Sequence, residues 1–142
     1  MTVVLVYSND GTLRERVRQA IGRYPAAGVD NLSYLESSTG DEVIRAVDRG
    51  LADLLILDGE AWPTGGMGLS RELKNSAAPC PPVIVLLGRP DDRWLAKWSQ
   101  ADAALVQPVD PVELVAAVVD LLRGRAAATA EADLVAANRE PV

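Results

Sequence analysis

The chain has 142 residues, the length of one ordinary domain, with 49% hydrophobic and 24% charged side chains, and no apolar run approaches the ~18 to 20 residues that span a bilayer. Its 14 basic and 20 acidic side chains give a net charge of −6, and because residues 123 to 142 hold three of each sign, the whole excess sits on residues 1 to 122. An acidic body repels phosphate backbones, which argues against sequence-independent nucleic-acid binding.

There is no histidine, which removes Ser-His-Asp chemistry, His-ligated metals and imidazole proton shuttles. The lone Cys80 stands among prolines (Pro79-Cys80-Pro81-Pro82). It has no disulfide partner and no histidine base, and reads as a loop thiol. No basic leader precedes the first apolar run at Val3, so the chain reads as cytoplasmic and without a membrane span.

In chain order, residues 3 to 7 (Val-Val-Leu-Val-Tyr) form a strand-like run. A helix start follows at Asn9 or Asp10 before Gly11, with Leu13, Val17, Ala20 and Ile21 on one face. A weaker strand at 32 to 36 leads to a second helix start at Thr39 or Asp41, with Val43, Ala46, Val47 and Leu51 on its apolar face. Residues 53 to 57 (Asp-Leu-Leu-Ile-Leu) and 83 to 87 (Val-Ile-Val-Leu-Leu) are continuous apolar strands. Asp91 marks another helix start, residues 103 to 106 a short strand, and Asp110 with Pro111 the start of a helix carrying Leu114, Ala117, Val118, Leu121 and Leu122.

Runs without polar alternation suit strands covered on both faces, hence a parallel sheet under helices. The expected fold is α/β, a three-layer doubly wound five-stranded parallel sheet in residues 1 to 123. Residues 124 to 142 are Ala-rich with Leu134 and Val135 as their strong apolar anchors, and read as a frayed helix or disordered tail. That tail cannot supply an effector domain, so the body is expected to stand alone.

In such sheets chemistry gathers at the carboxyl ends of the strands. The residues there are Ser8-Asn9-Asp10, Asp58-Gly59-Glu60, Gly88-Arg89 and Gln107-Pro108. Leu54-Leu-Ile-Leu-Asp58, then Pro63 and Gly68, then Pro82-Val-Ile-Val-Leu86 and Gln107-Pro108-Val-Asp-Pro-Val-Glu-Leu114 resemble the receiver domain of two-component response regulators, over residues 3 to 122. The resemblance implies a flavodoxin-like fold and a phosphoacceptor aspartate at Asp58. It also implies an acidic pair holding Mg²⁺ after the first strand, a hydroxyl after the fourth and a lysine after the fifth.

This sequence departs from the pattern at each partner. Counting back from Leu13-Arg14, the acidic pair falls on Ser8 and Asn9, with Asp10 one residue beyond. The hydroxyl position is Leu87, the lysine position Gln107, and the family's switching aromatic is Ala104. Phosphoryl transfer rests on positioning and charge neutralisation. A chain so altered is expected to bind Mg²⁺ weakly if at all, to catalyse nothing, and to act as a divergent receiver through protein contacts, with another protein or with itself.

The contact face implied by the resemblance is helix four, strand five and helix five. Trp94 and Trp98, four apart on the fourth helix and aligned with Ala101, are its expected aromatic anchors, with at least one partly exposed. Two alternatives remain open. One is a working phosphoacceptor in which Asp10, Glu60 and Asp58 gather Mg²⁺ and Arg89 replaces the lysine. The other is a ligand binder using the amides of Thr64-Gly65-Gly66-Met67-Gly68 or Ser8 to Thr12 to wrap a phosphate.

Overall fold

A computed structural model describes residues 1–77 and 79–137. Five strands, β1 (Thr2–Tyr7), β2 (Leu32–Ser37), β3 (Leu54–Asp58), β4 (Val83–Leu87) and β5 (Ala103–Val106), form one parallel sheet in the order β2-β1-β3-β4-β5. They alternate with helices α1 (Gly11–Ile21), α2 (Gly40–Asp48), α3 (Gly66–Ser76), α4 (Arg93–Trp98) and α5 (Pro111–Ala137), and a 3-10 turn at Pro90–Asp92 precedes α4.

Every residue of β3 and β4 is buried, as expected of central strands with helices on both sides. One face carries Leu5, Tyr7, Leu55, Leu57, Val85 and Leu87 against α2, α3 and α4. The other carries Val4, Val6, Leu54, Ile56, Ile84 and Leu86 against Val17 and Ile21 of α1 and Leu114, Val118 and Leu122 of α5. The strand end predicted at residue 57 comes one residue later, because Asp58 still pairs with Leu86 as the last residue of β3.

Three helix starts follow side-chain caps, while α3 and α4 begin without one, Asp91 lying inside the 3-10 turn that precedes α4. Asp10 Oδ1 accepts the Thr12 N–H at 2.9 Å, Thr39 and Glu42 bond reciprocally, and Asp110 Oδ1 accepts the Val112 N–H at 2.8 Å. The second helix stops earlier than its apolar spacing suggests. Gly50, at φ 67°, turns the chain, so Leu51 leaves the helix and is 50% exposed instead of completing the apolar face.

Two aspartates close the amino-terminal edge of the sheet, each one residue before a strand. Asp53 Oδ2 accepts the Val3 N–H at 2.8 Å, and Asp102 Oδ2 accepts the Val83 N–H at 2.7 Å and pairs with Lys74 Nζ at 2.7 Å. Arg125 of α5 clamps the first of them, reaching the Asp53 carbonyl at 2.6 Å and Oδ1 at 2.8 Å. Beyond Arg125 the helix runs on to Ala137 with its side chains exposed through Ala136. The last part of the Ala-rich segment, residues 138–142, lies outside the described residues.

The link from β3 to α3 folds back tightly. A Cβ at Gly66 would lie 2.6 Å from the Asp58 carbonyl oxygen and 2.9 Å from the Leu57 carbonyl carbon. These are backbone atoms that cannot swing aside, so Gly66→Ala should destabilise the protein by about 2 kcal/mol in urea unfolding. An unchanged midpoint would show that the α3 start is free to shift.

Candidate functional site

The site forms where β1, β3 and β5 end together. Asp58 sits at the end of β3 and is 5% exposed. Its Oδ2 accepts a hydrogen bond from Ser8 Oγ at 2.7 Å, and its Oδ1 accepts from Gln107 Nε2 at 3.1 Å and from the Glu60 N–H at 2.9 Å. Ser8 is fully buried and its Oγ in turn accepts the Asp10 N–H at 3.0 Å. Burial and then the charge of Asp58 push the Tyr7 phenol above its ordinary range, while its hydroxyl donates to the Thr64 carbonyl at 2.6 Å.

The structure therefore joins Ser8 and Gln107 directly to Asp58, and the two neighbouring candidates are engaged elsewhere. Asn9 Oδ1 accepts the Trp62 N–H at 2.9 Å, tying the loop after β1 to the loop after β3. Asp10 Oδ1 caps α1. Glu60 is exposed, and its carboxylate lies beside Gly88, where an added Cβ would come within 2.1 Å of Oε1. An alanine at Gly88 would push that carboxylate out of the mouth of the site. Arg89 points to Asp92, 3.2 Å away, rather than serving Asp58.

Leu87, at the hydroxyl position, is fully buried in the core with Leu57 and Val85. Ala104 is half-buried opposite Val85 on the same face. On α4, Trp94 is 66% and Trp98 45% exposed, and Ala96 faces the core. Arg71 of α3 lies over the Trp98 ring, 4.8 Å from its centroid, and donates to the Trp98 carbonyl at 2.8 Å. The helix ends before Ala101, since Gln100 takes φ 63°, so Ala101 leaves the tryptophan face and packs against the core.

Mg²⁺ needs several anionic or strongly polar oxygens in an octahedral array. The side chains bonded to Asp58 are a hydroxyl and an amide, and neither carries a charge. No group of three acidic, cysteine or histidine side chains able to hold a metal occurs among the described residues.

The loop at 64–68 is used for packing, since Gly66 lies against the end of β3 and the Thr64 carbonyl receives the Tyr7 hydroxyl. Two features escaped the sequence. Arg14 holds the Ser8 carbonyl at 2.5 Å while pairing with Glu36 at 3.2 Å, and Trp62, held by Asn9, is 76% exposed. Their spacing carries no signal for contacts across separate loops.

A parallel sheet in this strand order, with an aspartate ending its central strand and an X-Pro bond after the fifth, defines the receiver class. Receiver domains of comparable fold include that of a Francisella response regulator (TM-score 0.72, 20% identity, 88% of this chain and 99% of the other) and a chemotaxis response regulator of Vibrio cholerae (0.69, 20%, 86% and 99%). Response regulatory proteins from two strains of Mycobacterium tuberculosis are 54% identical over 123 residues, 87% of this chain and 92% of theirs. The chain belongs to the response regulators and is a receiver domain. No family model matches it.

The Ser8 bond to Asp58 has a measurable worth. Ser8→Ala should cost about 1–3 kcal/mol in urea unfolding, the range for stranding a buried acceptor. The cost should shrink markedly in an Asp58→Ala background, where no carboxylate needs a donor. Equal costs in both backgrounds would assign the loss to packing.

Proposed function

We propose that this receiver is a divergent, non-catalytic signalling module that works by protein contact and does not depend on phosphorylation of Asp58. The observation that carries the proposal is the pairing of the Asp58 carboxylate with three neutral donors and no cation: Ser8, Gln107 and the Glu60 N–H. A phosphoryl group arriving there would need charge neutralisation from a metal and a cation. Ser8 and Asn9 supply neutral oxygens, Gln107 supplies a neutral amide, and the nearby Glu60 carboxylate adds repulsion.

Output then falls to the surface. The exposed indoles of Trp94 and Trp98, the latter steadied by Arg71, form an aromatic patch of the kind that anchors protein interfaces. Both lie on α4, and Arg71 of α3 covers the Trp98 ring. No helix among the described residues is long and apolar enough to cross a membrane, and we read the module as working in the cytoplasm.

Incubation with acetyl phosphate and Mg²⁺, followed by intact-mass analysis, tests the reading. The expected result is a chain that stays unmodified at Asp58. A stoichiometric adduct that disappears in Asp58→Ala would overturn it and favour the phosphoacceptor with an unorthodox metal pocket.

A further inference from the structure

The open edge of the sheet at β2 carries groups that the fold does not use. Thr2 donates its N–H to the Asn31 carbonyl at 3.0 Å and Ser8 donates to the Ser37 carbonyl at 3.2 Å, and a parallel ladder engages alternate residues. Residues 31, 33, 35 and 37 therefore turn toward β1, and the N–H and C=O groups of Tyr34 and Glu36 point away from the sheet. The loop before β2 covers only the start of the strand, where the Arg23 carbonyl takes the Leu32 N–H at 2.9 Å. An unbroken register with β1 leaves no bulge in β2, and the strand holds neither proline nor lysine, the usual guards of an exposed edge.

Beside this edge lies a shallow groove of about 240 Å³, lined by Leu35, Ser37, Ala46 and Leu51 and by Arg45 and Arg49. Leu51 is the residue that Gly50 turns out of the helix, and its 50% exposure leaves an apolar side chain at the groove. Arg45 in the last turn of α2 and Arg49 at its C-cap are exposed, and neither enters an ion pair among the described residues. The two glutamates at the groove are engaged. Glu42 Oε1 accepts from Ser38 at 3.3 Å and from Thr39 at 3.1 Å, and Glu36 pairs with Arg14 at 3.2 Å and Arg18 at 3.8 Å. The groove thus presents two uncompensated cations on a chain whose net charge is −6.

We propose that the β2 edge takes an extended acidic segment of a partner protein as a sixth strand. Its backbone bonds Tyr34 and Glu36, its carboxylates pair with Arg45 and Arg49, and an apolar side chain rests on Leu35 and Leu51. In strand addition of this kind main-chain bonds supply affinity and alternate side chains supply selection. Residues two apart on the added strand share the α2 side, so the segment that fits carries an apolar residue and acids at steps of two. The edge lies at the opposite end of the strand order from α4, which joins β4 to β5, and the proposal rests on neither the tryptophans nor Asp58.

Fluorescence anisotropy of the full chain with a fluorescein-labelled heptapeptide, Thr-Val-Thr-Glu-Thr-Glu-Thr, tests the proposal together with amide hydrogen exchange. The peptide should bind saturably below millimolar concentration and slow exchange at the Tyr34 and Glu36 amides by at least about fivefold. Replacing its two Glu by Lys should weaken binding by at least about tenfold, as should the double variant Arg45→Glu, Arg49→Glu with the original peptide. The Lys peptide should bind the double variant, because the exchange of signs restores opposite charges. That variant should keep the melting temperature of the wild type, since both side chains are exposed. Absence of saturation up to millimolar peptide would overturn the proposal. So would equal binding of the two peptides by the wild type, or binding that leaves the Tyr34 and Glu36 amides unprotected. Protection that grows with protein concentration in the absence of peptide would overturn it in favour of a second copy on the edge.

Discussion

A buried carboxylate in a sheet needs donors, and two of the three donors of Asp58 come from distant parts of the chain. Ser8 follows β1, Glu60 lies two residues on from Asp58, and Gln107 follows β5. An unpaired charge at this depth would be costly, so the three strand ends are held in one arrangement by the need to satisfy two oxygen atoms. The loops around them inherit that arrangement. Asn9 holds the Trp62 backbone, Tyr7 holds Thr64, and Gly66 lets α3 begin against the end of β3. The site and the top of the fold are one hydrogen-bonded unit.

The unit is electrostatically self-contained. Hydroxyl, amide and peptide N–H provide dipoles without net charge that keep one carboxylate buried. Glu60, beside Gly88 at the mouth, adds a negative charge on the side from which an anion would arrive. Conventional receiver switching couples a hydroxyl to a mobile ring. Here Leu87 and Ala104 offer only apolar packing with Val85 and the core.

Much of the architecture was legible in the sequence because continuous apolar runs leave few options. The runs at 3–7, 53–57 and 83–87 had to be covered on both faces, and the order of elements followed. The end of α2 was less legible: Leu51 has helical spacing, but the backbone turn at Gly50 overrides it. Ala101 fails as a member of the tryptophan face for the same reason, a left-handed residue at Gln100.

At the site, residue types and positions could be read, which is why Ser8, Asn9 and Gln107 drew attention. Their orientations could not. Whether Asp10 turns toward Asp58 or caps α1 depends on local backbone geometry, and the cap prevails. Equally, the Gln107 amide looked like a loss of function by its lack of charge, while in space it is one of the donors that hold Asp58.

The two aspartates at the opposite edge of the sheet have an effect on how the chain finds its native alignment. In strands with apolar side chains on both faces, sliding one strand past its neighbour by a residue exposes little new polarity, so the hydrophobic effect barely penalises the error. Asp53 and Asp102 supply the missing penalty. Each bonds its neighbour strand twice, accepting the N–H of Val3 or Val83 through its carboxylate and donating its own N–H to that residue's carbonyl at 2.8 Å. A slipped pairing would leave charged oxygens without their donors at both junctions. These residues act as index pins, converting a sheet that hydrophobicity alone would tolerate in several offsets into one with a single frame.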